Sequence, residues 1–208
     1  MSTLIFLIQS ICLVLQCISD FMSRKKQYNE EEVIEKAMDL FWRNGYEKTS
    51  VRMLEKEMGI NQFSMYSSFV NKQGVFVGSI TCYRSKIKVL TDALKNSNNG
   101  KEGIKKFFYD FVEFSKENTL SKGCLITNTV NELGENADPI IRTEIEKFAS
   151  DIRALFYNNL KQDASKDEET LEKQSNFLII CKQGLSNATK VFTKPQLVDF
   201  IEITFKMI

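Results

Sequence analysis

Apolar residues between positions 30 and 76 recur at helical spacing and break at glycines. Val33, Ile34, Ala37, Met38, Leu40 and Phe41 form one stripe, which stops at Asn44-Gly45. Val51, Leu54 and Met58 then fall at i, i+3 and i+7, and Ile60, Met65 and Phe69 line the inner face of a second short helix. Gly59 suits the left-handed conformation that ends the first of these, and Asn61 is a good N-cap for the next. Two very short amphipathic helices joined by a tight glycine turn have the local chemistry of a helix-turn-helix. Gln62, Phe63, Ser64 and Ser67 form the outer face, with Tyr66 beside it. So short a second helix buries little, and the pattern points to side chains offered to a DNA major groove.

The rest of the chain divides into helices at its polar punctuation. Lys72 to Lys95 carries Val75, Phe76, Ile80, Tyr83, Ile87 and Leu90 and ends at the linker Asn96-Ser97-Asn98-Asn99-Gly100. Glu102 to Glu117 presents Ile104, Phe107, Phe108, Phe111, Val112 and Phe114, an aromatic face that reads as core. Cys124 to Leu133 predicts a short apolar helix, and Asp138-Pro139 supplies an N-cap and a first-turn proline for one running to Lys161. A charged, exposed segment at 162–169 precedes a helix from Glu168 to Lys190. Thr193-Lys194-Pro195-Gln196 has the form of a capping box for the last helix. With two prolines, nine glycines and no alternating run, the chain is expected to be all-α.

The first 21 residues do not fit this scheme. Leu4 to Ile18 is mostly apolar but is interrupted by Gln9, Ser10 and Gln16, and it is shorter than the roughly 20 residues a spanning helix needs. It shows no clear positive start or small-residue cleavage site, so a signal peptide is a poor fit. We read Met22 as the natural initiator and 1–21 as an upstream mis-start, with a membrane anchor as the alternative. The expected division is therefore a leader over 1–21, a reading head over 22–76 and a helical regulatory and dimerisation domain over 77–208.

A length of 208 residues is enough for both domains. The formal charge of +1 is not that of a nonspecific nucleic-acid binder, but residues 1–95 carry net +3 and the remainder net −2. With no histidine, Ser-His-Asp triads, Cys-His dyads and His-ligated metal sites are excluded. The five cysteines, Cys12, Cys17, Cys82, Cys124 and Cys181, include no Cys-x-x-Cys pair, which suits reduced thiols in a cytoplasm. No enzyme activity, metal or cofactor is expected.

The residues from Val33 to Lys72 resemble the tetracycline-repressor (TetR) family. The likeness rests on the first helical stripe, the Gly45-Tyr46 corner, the Thr49-Ser50-Val51 start, Gly59-Ile60-Asn61, and then Tyr66, Phe69 and Lys72 at family-like spacing. Phe63 is a departure, because relatives with this Gly-Ile-Asn-Gln wording usually carry proline or a small residue there. The resemblance implies a ligand-responsive regulator, more often a repressor, bound to a double-stranded DNA operator. Tyr66 and Lys72 would touch phosphates, and Thr49 and Arg52 would brace the DNA backbone. Gln62, Phe63 and Ser64 would face bases beside the cap Asn61, with glutamine reading adenine and an apolar ring meeting a thymine methyl. Arg24, Lys25 and Lys26 would reach flanking phosphates or the minor groove, or else form a solvated tail. The family's last two helices pair into a four-helix interface. Here Leu178, Cys181, Leu185, Val198, Phe200, Ile201 and Phe205 would make a homodimer. A small-molecule effector would move the helix at Lys72–Lys95 and change the separation of the reading helices. No membrane partner is expected. The alternative is a helical interaction or membrane-adaptor protein that keeps this fold without DNA binding.

Gly123-Cys124-Leu125 resembles the setting of a cysteine that senses electrophiles and oxidants in a member of this family. The helix N-terminus and nearby Lys122 would favour a thiolate, the reactive form. The other reading of Cys124 is a small core residue.

Overall fold

Helix starts in this chain fall where a side chain can take up the unpaired amides of the first turn. The computed structural model describes residues 28–116 and 122–208, and Glu31–Ile208 form one compact unit. Its helices are α1 (Glu30–Asn44), α2 (Val51–Met58), α3 (Gln62–Phe69), α4 (Lys72–Lys95), α5 (Gly100–Lys116), α6 (Leu125–Leu133), α7 (Pro139–Leu160), α8 (Glu168–Ala188) and α9 (Lys194–Lys206). Ser50 Oγ accepts the Met53 amide at 3.2 Å, Asn61 Oδ1 that of Ser64 at 2.8 Å, and Asn71 Oδ1 that of Gly74 at 2.8 Å. Asp138 and Asp167 cap α7 and α8 in the same way. At α9 the Thr193 amide donates to Gln196 Oε1 at 3.0 Å, the returning half of a capping box. Among the described residues the element order is all-α. The leader 1–21 and Arg24, Lys25 and Lys26 lie outside them.

The first three helices close a small core on the start of α4. Met38, Phe41, Leu54, Met58 and Met65 are fully buried there with Val75 and Phe76. The Phe76 ring meets those of Phe41 and Tyr46 at 4.8 and 4.9 Å. Gly74 lies so close to the end of α3 that a Cβ on it would sit 1.8 Å from the Phe69 carbonyl oxygen. Gly74→Ala is therefore expected to destabilise the chain by about 3 kcal/mol, since backbone cannot yield as a flexible side chain can. Thermal unfolding followed by circular dichroism checks this, and an unchanged midpoint would contradict it.

The far half of α4 packs into a second core with α5–α9. Phe107 and Phe108 of α5 meet Phe156 of α7 at 5.6 and 5.8 Å, and Phe108 meets Phe205 of α9 edge-on at 5.2 Å. Four side chains expected at a dimer interface are spent on this core. Leu178, Leu185, Ile201 and Phe205 are buried inside the protomer, at 4 % exposure or less, so they are not available to a second copy. The reason is helical phase: both helices are apolar on two sides, and periodicity alone does not say which side the protomer's own core covers. Their outer sides carry Ile180 (67 %), Ile203 (59 %), Met207 (70 %) and Phe200 (38 %), with Cys181 and Val198 half-buried. No helix among the described residues is long and apolar enough to cross a membrane.

Candidate nucleic-acid interface

Two fastenings set α3 against α2. Gly59, at φ 70°, ends α2 in the left-handed conformation, and Glu55 Oε1 then accepts the Gln62 amide at 2.6 Å. Met65 anchors α3 from below with no exposure. The first turn of α3 is thereby held with Gln62 and Phe63 outward; Phe63 is 84 % exposed, and Ser64 is half-buried beside it. Asn61 is exposed, but its side-chain oxygen caps the helix, so its role in the site is to hold α3.

Arg52 is exposed on α2, and Tyr66 is half-buried on α3. Lys72 opens α4 with its ammonium 4.4 Å from the centre of the Tyr46 ring. That contact leaves the charge at the edge of the reading head, where a phosphate can meet it. The Tyr46 phenol is pushed above its usual range by burial first, then by Glu47, Asp138 and Tyr66. Thr49 departs from expectation. It is fully buried, and its hydroxyl donates to the Gly45 carbonyl at 2.6 Å, so it shapes the turn before α2 and does not reach a DNA backbone.

Behind this head lies a buried thiol. Cys124 is the N-cap of α6, fully buried, with its amide donating to Ser186 Oγ at 2.9 Å. The expected cation, Lys122, is engaged elsewhere: its ammonium lies 3.1 Å from Asp39 and 4.9 Å from the centre of the Trp42 ring. The cation on the sulfur is Lys182 of α8, at 3.4 Å and itself 2 % exposed, enclosed by the rings of Phe111 and Phe148. Burial alone raises this thiol, but Lys182, together with the neighbouring Tyr83 and Thr127, outweighs it, and the thiol is held below its ordinary value. The Tyr83 hydroxyl has no well-aligned partner of its own; burial and the neighbouring sulfur push it well up. Lys182 had a visible signal in the sequence, a lysine on the stripe Leu178, Lys182, Leu185 where burial calls for an apolar residue. No group of three or more Cys, Asp or Glu among the described residues is gathered as metal ligands.

Comparison with known proteins agrees with this geometry. Residues 33–77 match the model of the bacterial regulatory proteins of the tetR family. The chain is 26 % identical over 148 residues, 71 % of its length and 76 % of the relative's, to the uncharacterized HTH-type transcriptional regulator YezE of Bacillus subtilis. It is 25 % identical over 142 residues, covering 67 % of itself and 68 % of the relative, to the HTH-type transcriptional repressor ComR of Escherichia coli. In fold it matches the TetR-family regulator CifR, solved as a cysteine mutant on a 26-base-pair operator, with a TM-score of 0.78 and 22 % identity over 88 % of this chain and 98 % of that one. Residues 33–77 are thus a helix-turn-helix domain of the tetR family, and the chain as a whole shares the fold of TetR-family transcriptional regulators.

Proposed function

We propose that the chain is a repressor that holds a pseudo-palindromic operator as a homodimer and leaves it when an electrophile or oxidant modifies Cys124. The observation that carries the DNA reading is the first turn of α3, where Gln62 and Phe63 stand exposed on a helix fixed from below by Met65. The names of two relatives support it: ComR is called a repressor, and CifR was solved on operator DNA. In this reading Gln62, Phe63 and Ser64 meet base edges, while Arg52, Tyr66, Lys72 and the Arg24-Lys25-Lys26 arm meet phosphates. The head up to residue 76 reads DNA and the helices beyond it regulate and dimerise, in the cytoplasm where the operator lies. The outer sides of α8 and α9, with Ile180, Cys181, Val198, Phe200, Ile203 and Met207, form the dimer face. Two-fold pairing then presents two copies of α3 to successive major grooves.

The sensing step is thiolate addition. With N-ethylmaleimide as probe, the Cys124 sulfur forms a bond to one alkene carbon of the ring, and the other alkene carbon takes a proton from solvent. The adduct has no room at a fully buried site, and Lys182 loses its counter-charge, so the start of α6 must move.

A gel shift with the DNA upstream of the protein's own gene tests both parts. Binding is expected to weaken as salt rises, because lysine and arginine release counterions from phosphate. Lys72→Ala should weaken many sequences alike, whereas Gln62→Ala should cost roughly 1–3 kcal/mol at one base step and relax preference there. N-Ethylmaleimide should release the parent from DNA and spare Cys124→Ser. If Gln62→Ala ranks a randomised operator library as the parent does, that residue does not read bases. Equal release of both proteins would return Cys124 to a packing role and favour a noncovalent effector.

A further inference from the structure

The turn between α1 and α2 is held by a residue more than 80 positions away. Glu132, in the last turn of α6, accepts the amides of Tyr46 and Glu47 at 2.7 and 3.0 Å, one through each carboxylate oxygen. The fit depends on Gly45 having no side chain. At φ 85° a Cβ there would lie 2.6 Å from both carboxylate oxygens. The same turn is braced from its carbonyl side, where the Thr49 hydroxyl donates to Gly45 and the Thr49 amide to Tyr46 at 3.3 Å. Its side chain reaches the DNA face, since the Tyr46 ring lies under the Lys72 ammonium.

The other end and the other side of α6 are also fastened. Just before its start, the Lys122 carbonyl accepts from Trp42 Nε1 of α1 at 3.2 Å and from Asn128 of α6 at 2.9 Å. Toward α8, the Cys124 amide meets Ser186 Oγ, and Asn131 Nδ2 donates to Asn187 Oδ1 at 2.8 Å. One nine-residue helix thus lies between α8 and the turn that opens the helix-turn-helix. It makes this link without passing through α4.

We propose that Glu132 is a positioning residue for DNA binding: its carboxylate fixes the Gly45–Glu47 turn, and through the Tyr46 ring it sets Lys72 for its phosphate. A displacement of α6 is then felt directly at the reading head. The inference rests on the DNA-reading assignment for its consequence but not for the contact itself.

The test compares the full-length protein with Glu132→Ala and Glu132→Gln. Amide hydrogen exchange is measured without DNA, and operator affinity is measured at fixed salt. Glu132→Ala should lose protection at Tyr46 and Glu47 while the amides of α8 keep theirs, and it should bind operator about fivefold to tenfold more weakly. Glu132→Gln keeps one carbonyl oxygen as acceptor and should restore part of both, and being isosteric it also carries the test if the alanine variant folds poorly. In a Lys72→Ala background the affinity loss from Glu132→Ala should shrink, because the two residues act on one contact. Unchanged exchange at both amides, or losses from the two residues that combine independently, would overturn the proposal. If the parent binds no operator, the DNA reading itself has failed, and the exchange result still decides whether Glu132 holds the turn.

Discussion

Ile203→Glu is expected to give a folded monomer whose operator affinity falls by about a hundredfold or more, as both halves of a palindrome must be engaged together. Phe200→Glu should act alike. Both side chains lie on the outer side of α9, at 59 % and 38 % exposure, so within one protomer the new charge stays in water. In a dimer pressed together through that side it would be buried without a partner, which is unfavourable by several kcal/mol. Ile201→Glu is the contrasting variant. Ile201 has no exposure, and a carboxylate there enters the core shared with α5, so unfolding is expected rather than dissociation. Sedimentation and circular dichroism separate the two outcomes. An intact dimer for Ile203→Glu would move the interface to another face, and a folded monomer for Ile201→Glu would contradict the burial.

Cys124→Ala should destabilise the protein by about 3 kcal/mol, whereas Lys182→Met should be close to neutral and the double variant should recover most of the loss. The asymmetry follows from burial. Removing the thiol strands an ammonium that is 2 % exposed, while an unbranched apolar chain in place of Lys182 leaves only a neutral thiol against Phe111 and Phe148. The pH dependence has opposite signs in the two proteins. In the parent the folded thiol is held below its ordinary value of 9.0, so its contribution is present above that pH and is lost as pH falls through the folded value. In Lys182→Met, burial, the largest influence on the parent thiol, is expected to raise it, so its contribution should be present at neutral pH and lost as pH rises past 9.0. Lys190 is lowered by burial, and Cys124 opposes that lowering. Urea unfolding between pH 7 and 10, with maleimide reaction rates alongside, reads both slopes. Parallel slopes would show that Lys182 does not govern the thiol.

The helix boundaries were legible because they are local. Ser50, Asn61 and Asn71 cap the amides three residues ahead of them, and Gly59 adopts its left-handed φ of 70° within the same few residues. Which side of α3 stands exposed was legible for a related reason. A helix of eight residues with Met65 beneath leaves little choice about which side faces out. Phe63 was a departure from the family wording, and its exposure at 84 % leaves it in the reading turn.

Thr49, Leu178, Leu185, Ile201, Phe205, Lys182 and Glu132 mark where local pattern ends. A polar residue at the start of α2 can as well point inward to the Gly45 carbonyl as outward to a phosphate, and the turn's fold settles it. A helix apolar on two sides states that both are covered without stating by what; the packing of α5 against α9 assigns Ile201 inward and leaves Ile203 out. Lys182 stands 58 positions from Cys124, and Glu132 stands 86 from Tyr46. Periodicity and capping act over one or two helical turns. Partners at such separations are chosen only when α6 is laid between α1 and α8, where close packing and the need to satisfy buried polar groups decide which side chains meet.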